Sequence, residues 1–517
     1  MKRSSVIVVG AGVGGLSAAV HLAALGLDVQ VLERAGSPGG KLRARQVAGR
    51  WLDSGPTVCT MRWVFDELFD LAGSRLSDHL TLVPAATLAR HAWSGGGRLD
   101  LLADLDAAVD AIGAFAGATE ARAYRGFCDR SRAIYRSLEG PFLRQSRPSV
   151  AGLVWRAGWR GLPGLLRIAP FARLWGELGR HFSDPRLQQL FGRYATYCGS
   201  SPFQATATLM LVAHVEREGV WLVDGGMARI AEALVTAGQR LGARLRCGAA
   251  VAEVLSERGR ACGVRLASGE VLRADAVVFN GDVAALASGA LGPAAQRGLA
   301  SHARRWAEPA GRSLSAVTWQ AVAECSGFPL LRHNVFFSDD CAAEFDQIQR
   351  QGRCPQDPTV YVCAQDRGAD AGGPPEGAER LLCLVNAPAR ADRCPLTPTE
   401  VDQCERQALK RLADCGLSLR PVAPVRRTTP QDFDRRFPAT GGALYGAPSH
   451  GWQASFRRPG ARHALPGLYL AGGSTHPGPG VPMAALSGRQ AAEALWADLA
   501  STRRWDPVAM PGGTSTR

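Results

Sequence analysis

The sequence predicts an α/β protein in which parallel strands and helices from both ends of the chain form one layer, with blocks of mixed sheet and helix inserted between them. Three stretches carry the prediction. Val6-Ile7-Val8-Val9 is a run of β-branched residues of the kind that forms a strand buried on both faces, and it leads into the turn Gly10-Ala11-Gly12-Val13-Gly14-Gly15. Ala276-Val277-Val278-Phe279 is a second such strand, ending at Asn280-Gly281-Asp282. Gly467-Leu468-Tyr469-Leu470 is a third, followed by a glycine-rich turn through Gly480 and a helix over 484–495.

The first turn opens a helix over 16–25, Gly26 stops it, and Val29-Gln30-Val31-Leu32 is the next strand. Glu33 closes that strand 23 residues after Gly10. Gly10, Gly12 and Gly15 make a G-x-G-x-x-G turn between strand and helix. Glycines there let backbone N–H groups approach a pyrophosphate at a helix N-terminus, and the carboxylate accepts ribose hydroxyls. Residues 4–27 contain no Lys, Arg, Asp or Glu and are long enough to span a membrane. The glycines crowded into the first half, His21 and the strand–turn–helix pattern argue against a spanning helix.

At 517 residues the chain has room for two or more domains. Its 46% hydrophobic and 21% charged residues are ordinary for a soluble protein. The formal charge is +14, and only three of the 60 basic residues are lysines (Lys2, Lys41, Lys410). Such an excess suits an anionic membrane surface, acidic ligands or nucleic acid. No zinc-finger or RNA-binding signature is present, so nucleic acid is not expected. The 13 cysteines are odd in number, scattered and without a C-x-x-C pair, which suits free thiols in a reducing compartment rather than a disulfide scaffold or a metal site. Only five residues precede Val6, so no signal peptide is expected, and the expected location is cytoplasmic.

After Glu33 come Arg34 and Gly39-Gly40-Lys41, then Asp53-Ser54-Gly55-Pro56-Thr57. The glycine turn, the acid and Gly-Gly-Lys resemble the FAD-binding front of the amine oxidase and phytoene desaturase superfamily. The Asp-Ser-Gly-Pro-Thr run narrows the resemblance to the carotenoid desaturase branch, in which this run lies against the flavin. The resemblance implies a Rossmann-type FAD-binding domain assembled from 1–85, 215–285 and 440–500. A mixed sheet-plus-helix substrate domain is then assembled from 86–214 and 286–439, and 501–517 is a disordered tail.

Residues 60–140 read as mixed helix and strand with no catalytic motif. From 140 to 176 there is no Asp or Glu but there are six arginines, interleaved with Leu153, Trp155, Trp159, Leu165, Phe171 and Trp175. Guanidinium groups beside Trp and Leu are what an interfacial helix needs, so 151–176 is the expected membrane contact, broken by Pro163 and Pro170. Three further motifs match the carotenoid desaturase branch: Tyr194-Ala195-Thr196-Tyr197-Cys198-Gly199-Ser200-Ser201-Pro202-Phe203, then His214-Val215-Glu216 with Gly219-Val220-Trp221, then Gly225-Gly226-Met227 before a helix over 228–241. His214 reads as a structural histidine. Strands follow at 243–246, 251–255, 261–266 and 271–272, and the resemblance puts Val251 on the adenine side of the dinucleotide. In 284–438, apolar segments at 314–322, 335–337, 359–362 and 381–385 are expected to floor a substrate tunnel. The terminal run Gly472-Gly473-Ser474-Thr475-His476-Pro477, continuing to Val481-Pro482-Met483, resembles the branch's flavin-closing motif and can set backbone N–H groups against the flavin.

The resemblance implies an FAD-dependent desaturase of an acyclic carotenoid. A hydride would leave an allylic carbon for the flavin and a proton would leave the neighbouring carbon. Dioxygen or a membrane quinone would take the electrons, and the protein would supply position and dryness. The expected cofactor contacts are Gly10, Gly12, Gly14, Gly15, Glu33, Arg34, Gly40, Lys41, Gly55, Pro56, Thr57, Val251, Gly472, Gly473, Val481, Pro482 and Met483, with no metal. His476 is either the proton acceptor or a structural residue. Details such as Trp221-Leu222-Val223-Asp224 and Val481-Pro482-Met483-Ala484 look like the hydroxyneurosporene (methoxyneurosporene) dehydrogenases of purple bacteria. Those act as 1-hydroxycarotenoid 3,4-desaturases in spheroidene and spirilloxanthin synthesis. Two other readings stay open. One is another flavoenzyme on this fold, a phytoene desaturase or an amine oxidase, although no aromatic amine cage is legible. The other is a non-catalytic prenyl- or lipid-binding protein of the GDP-dissociation-inhibitor type, against which the intact flavin turns speak. The expected setting is peripheral attachment to the inner, photosynthetic membrane.

Overall fold

The computed structural model describes residues 3–146, 171–297, 305–369 and 375–503, together with 149, 152, 168, 299 and 373. Strand β1 (Ser5–Val9) is the middle of a five-stranded parallel sheet. Helix α1 (Val13–Ala24) returns the chain to β2 (Asp28–Leu32) on one side of β1, and Ala276–Phe279 pairs on the other. Arg244–Arg246 and Leu468–Leu470 form the edges. Segments so distant in sequence assemble because both faces of the sheet are covered. Val6 and Val8 enter the core shared with α1, while Ile7 enters the opposite core with Val254, Val264 and Val277. That alternation makes Val6 to Val9 apolar at every position.

On the first face α1 is buried from Val13 to Ala23, packed against helices Ala228–Arg240 and Val481–Arg503. The uncharged stretch at 4–27 is therefore the central strand and helix of this core. The terminal helix is longer than expected and carries Ser501–Arg503, which corrects the start of the expected tail; 504–517 lie outside the described residues. On the second face lies an antiparallel sheet of Val251–Glu257, Arg260–Leu266 and Val271–Arg273.

The inserted blocks meet in one larger mixed sheet. Its strands run Ser418–Pro421, Ser315–Ser326, Glu379–Ala387, Val360–Ala364, His333–Phe336, Thr87–Ala92 and Arg98–Leu102, with Arg426–Thr428 beside Ser315–Ser326. Val317, Trp319, Leu381, Cys383 and Val385 turn to one face, which helix Pro398–Asp414 covers with Val401, Cys404, Ala408 and Leu412. Thr318, Leu382, Leu384 and Asn386 turn to the other face, which floors a cavity. Helices Ala118–Leu138, Leu174–His181 and Pro185–Gly192 pack beside it through Phe127, Phe182 and Phe191, whose ring centroids are 4.6–5.3 Å apart, and Leu138 and Gln189 reach its wall. Most of the expected membrane segment 151–176 lies outside the described residues; within it Ile168 is buried and Phe171 is exposed.

Candidate active site

A single cavity of about 1360 Å³ runs from the glycine turn of the parallel sheet to the floor of the mixed sheet. It exceeds the roughly 300–1,000 Å³ of a pocket for one drug-sized ligand.

Its first end is shaped by missing side chains. Gly10 has φ +98°, a conformation that glycine adopts without strain. A Cβ on Gly12 would lie 2.9 Å from Asn280 Nδ2, and one on Gly15 would lie 2.1 Å from Gly10 O. Gly12 caps α1 with no side-chain hydrogen bond, so the first-turn N–H groups and the positive end of the helix are left for a ligand. Glu33 is buried in the same wall, where Oε2 accepts from Ala11 N at 2.8 Å and Oε1 from Ala35 N at 2.8 Å. These two bonds fix its carboxylate and leave lone pairs on both oxygens.

The Gly-Gly-Lys turn closes over this end, with Gly39 N donating to Ala11 O at 2.8 Å. Lys41 donates Nζ to Leu444 O and lies 5.1 Å from the Phe437 ring centroid. Burial pushes its amine below the usual lysine range, partly opposed by Asp282. Gly55 passes so close to Lys41 that a Cβ would meet its carbonyl oxygen at 1.8 Å. Asp53 turns away from the cavity. Its carboxylate accepts from Met227 N at 2.8 Å and Ala228 N at 3.3 Å, capping helix Ala228–Arg240. From the other side, Gly472 N donates to Ser487 Oγ at 2.7 Å, and the start of helix Val481–Arg503 faces the cavity. The buried Arg458 guanidinium ties this turn together through Tyr445 O, Ala447 O and Gly473 O.

The structure brings together on the cavity wall Gly10, Gly12, Gly14, Glu33, Arg34, Gly40, Lys41, Gly55, Pro56, Thr57, Val251, Gly472, Gly473, Val481, Pro482 and Met483. Two of the expected residues are elsewhere. Gly15 lies behind the wall, where it gives α1 room against Gly10. His476 is buried off the cavity, with Nε2 2.9 Å from Phe142 O and its ring edge-on to Phe142 at 4.7 Å. Burial pulls its pKa down to about 4, and its ring nitrogen meets the turn that carries Phe142. His214 is also structural, buried against the Tyr135 ring at 5.0 Å.

Beyond the cradle the cavity wall carries Leu209, Val212, Phe337, Leu382 and Leu384, and with them polar residues that include a group around Arg193 and Tyr361 and a buried Glu344 that accepts from Thr359 Oγ1 at 2.7 Å. Thr57 Oγ1 is 2.7 Å from Tyr361 Oη, which is 2.8 Å from His333 Nδ1. Arg193 donates to Tyr197 Oη at 3.1 Å and lies 5.2 and 5.5 Å from the Tyr197 and Tyr361 ring centroids. Glu216 is buried beside them; burial raises its pKa, opposed by hydrogen bonding from Tyr194 and Tyr197 and by the charge of Arg193. At the rim, Phe171 is 78% and Trp452 39% exposed, and their rings meet at 5.4 Å.

The model of a flavin-containing amine oxidoreductase matches residues 13–496. The chain belongs to that family. Members it resembles include a hydroxyneurosporene desaturase of Rubrivivax gelatinosus, 54% identical with 100% of this chain and 98% of that one covered. A zeta-carotene-forming phytoene desaturase of Myxococcus xanthus is 32% identical, with 95% and 94% covered. Among solved structures, a putrescine oxidase bound to putrescine shares the fold with a TM-score of 0.61 at 16% identity, covering 96% of this chain and 99% of that one.

The cofactor of this flavin oxidoreductase is FAD, and the cradle fits it. Side-chain-free space lies before an uncapped helix N-terminus, and a carboxylate stands at the end of β2. Sequence reasoning missed Arg458 and the group around Arg193. The motifs around Arg193 are visible, but its place beside Tyr361 and Glu216 depends on contacts between separate segments.

Proposed function

We propose that this chain is an FAD-dependent carotenoid desaturase that introduces the 3,4 double bond into an acyclic 1-hydroxycarotenoid of the 1-hydroxyneurosporene type, within spheroidene or spirilloxanthin synthesis. The observation that carries this reading is the continuity of the dinucleotide cradle with a chamber walled by apolar side chains and sheet. The much higher identity to the hydroxyneurosporene desaturase than to the phytoene desaturase supports the hydroxylated substrate.

Bound FAD supplies the acceptor for the hydride from the allylic carbon. Leu209, Val212, Phe337, Leu382 and Leu384 exclude water from the polyene. Lys41, Glu33 and Arg458 orient the two closing turns. A carboxylate oxygen of Glu216, held in the wall, takes the proton lost from the neighbouring carbon.

The protein works at a membrane surface, peripheral on the cytoplasmic side of the inner, photosynthetic membrane, with dioxygen or a quinone as electron acceptor. Two considerations support this setting. A C40 polyene is about as long as the roughly 30 Å hydrocarbon core of a bilayer. Passing it through water costs about 0.8 kcal/mol for each CH₂-sized group exposed, whereas lipid and tunnel are equally apolar. The exposed Phe171–Trp452 pair on the cavity rim suits direct transfer. Among the described residues no helix is long and apolar enough to cross a membrane.

Liposomes carrying 1-hydroxyneurosporene or phytoene, supplied to the FAD-loaded protein, test the reading by product analysis. A red-shifted product from the hydroxylated carotenoid alone is expected. Turnover of phytoene instead would replace the substrate while leaving the flavin chemistry in place.

A further inference from the structure

The polar group around Arg193 borders the apolar part of the cavity. A polyene offers no hydrogen-bond partner, yet Arg193 stands in its wall among Leu209, Val212 and Leu384. A guanidinium carries five N–H donors and no acceptor. The Arg193 hydrogen bond goes to Tyr197 Oη at 3.1 Å, and the charge of the buried Glu216 favours its charged form without a direct ion pair among the described residues. Donors facing an apolar chamber are costly unless the ligand brings an oxygen to meet them.

The position of that oxygen follows from the chain's own geometry. Arg193 sits over the Tyr361 ring at 5.5 Å, and Tyr361 Oη is 2.7 Å from Thr57 Oγ1. Thr57 ends the Gly55-Pro56-Thr57 strip at the cofactor end of the cavity. The guanidinium is thus one side chain, Tyr361, removed from the strip that borders the cofactor cradle. In a 1-hydroxycarotenoid the hydroxyl carbon is two bonds from C3, so a substrate seated for 3,4-desaturation carries its oxygen into the same neighbourhood. Tyr361 is already engaged by Thr57 and His333, whereas Arg193 has N–H groups beyond the one given to Tyr197.

We propose that Arg193, positioned by Tyr197 and Tyr361, donates a hydrogen bond to the tertiary hydroxyl of the substrate and so selects hydroxylated over hydrocarbon carotenoids. This assignment rests on the desaturase reading above and adds the residue that sets its specificity. A site built to bond a hydroxyl discriminates strongly against the analogue lacking it, because the site's own polar groups are then left unpaired.

The test compares 1-hydroxyneurosporene with neurosporene, which lacks the hydroxyl, as liposome-borne substrates of the FAD-loaded wild type and of Arg193→Met. Binding is read separately from turnover, by the circular dichroism induced in the carotenoid. Arg193→Met is expected to lower kcat/KM for the hydroxylated substrate at least about tenfold. The same variant should weaken binding of that substrate more than binding of neurosporene, so that the ratio of the two kcat/KM values falls. An unchanged ratio of the two substrates, or an equal loss on both, overturns the assignment. Should Arg193→Met fail to hold FAD, Tyr197→Phe removes the hydroxyl that positions the guanidinium and is judged by the same two outcomes. A wild type that ignores the hydroxylated substrate removes the parent reading too. A selective wild type whose ratio survives the substitution removes only the role of Arg193.

Discussion

A methyl group at position 14 would come within 2.7 Å of Asn280 Oδ1 and 2.9 Å of both Ala484 O and Gly472 N. None of these can withdraw without opening the cradle. Gly14→Ala is therefore expected to destabilise the site by about 1–3 kcal/mol and to leave the purified protein largely free of flavin, read from its absorbance. Gly36→Ala, where a Cβ meets nothing within 4 Å, should retain its flavin. Glu216→Gln removes the wall carboxylate with little change of shape. It should lower kcat about 10²-fold or more at full flavin content. Because burial raises the Glu216 pKa and a base must be deprotonated, activity should rise with pH through a limb lying above the usual glutamate range. That limb should be absent from the pH profile of the variant; a wild-type profile in Glu216→Gln would exclude it as the base. The cradle glycines are legible in the sequence because each is read within a single strand–turn–helix unit. His476 is not, because the carbonyl that holds it belongs to Phe142, 334 positions away.

Elements are held by residues that no pattern of hydrophobicity reveals. Asp53 ends a short strand, yet its carboxylate caps helix Ala228–Arg240 and its backbone exchanges two hydrogen bonds with Gln365. Its motif is legible by resemblance alone; the cap is not, since the helix begins far along the chain. Asp53→Ala strands the buried Met227 N–H and should cost about 1–3 kcal/mol, measured by thermal unfolding. The mixed sheet shows the same limit. Its apolar segments are visible in sequence, but the parallel pairing of Thr87–Ala92 with His333–Phe336 is a tertiary event. At the rim, the double change of Phe171 and Trp452 to Ser should weaken sedimentation with anionic liposomes without loss of flavin. Unchanged sedimentation would exclude this rim as the membrane contact.

At the scale of the whole molecule, the parallel sheet draws strands from positions 5–9, 28–32, 244–246, 276–279 and 468–470. The three that flank the cofactor cradle are compact apolar runs beside glycine turns, which is why the FAD-binding layer is legible in the amino-acid sequence. The cavity is less so, because its far wall is built where two inserted blocks meet and its polar residues come from separate segments. The same division organises function: the layer holds the redox group, and the inserts choose the molecule brought to it. The most direct measurement is an anaerobic titration of the FAD-loaded protein with 1-hydroxyneurosporene, following flavin and carotenoid absorbance together. Bleaching of the flavin in step with a red shift of the carotenoid is predicted. Binding of the carotenoid with the flavin left oxidised would contradict the account and make the cavity a carrier site.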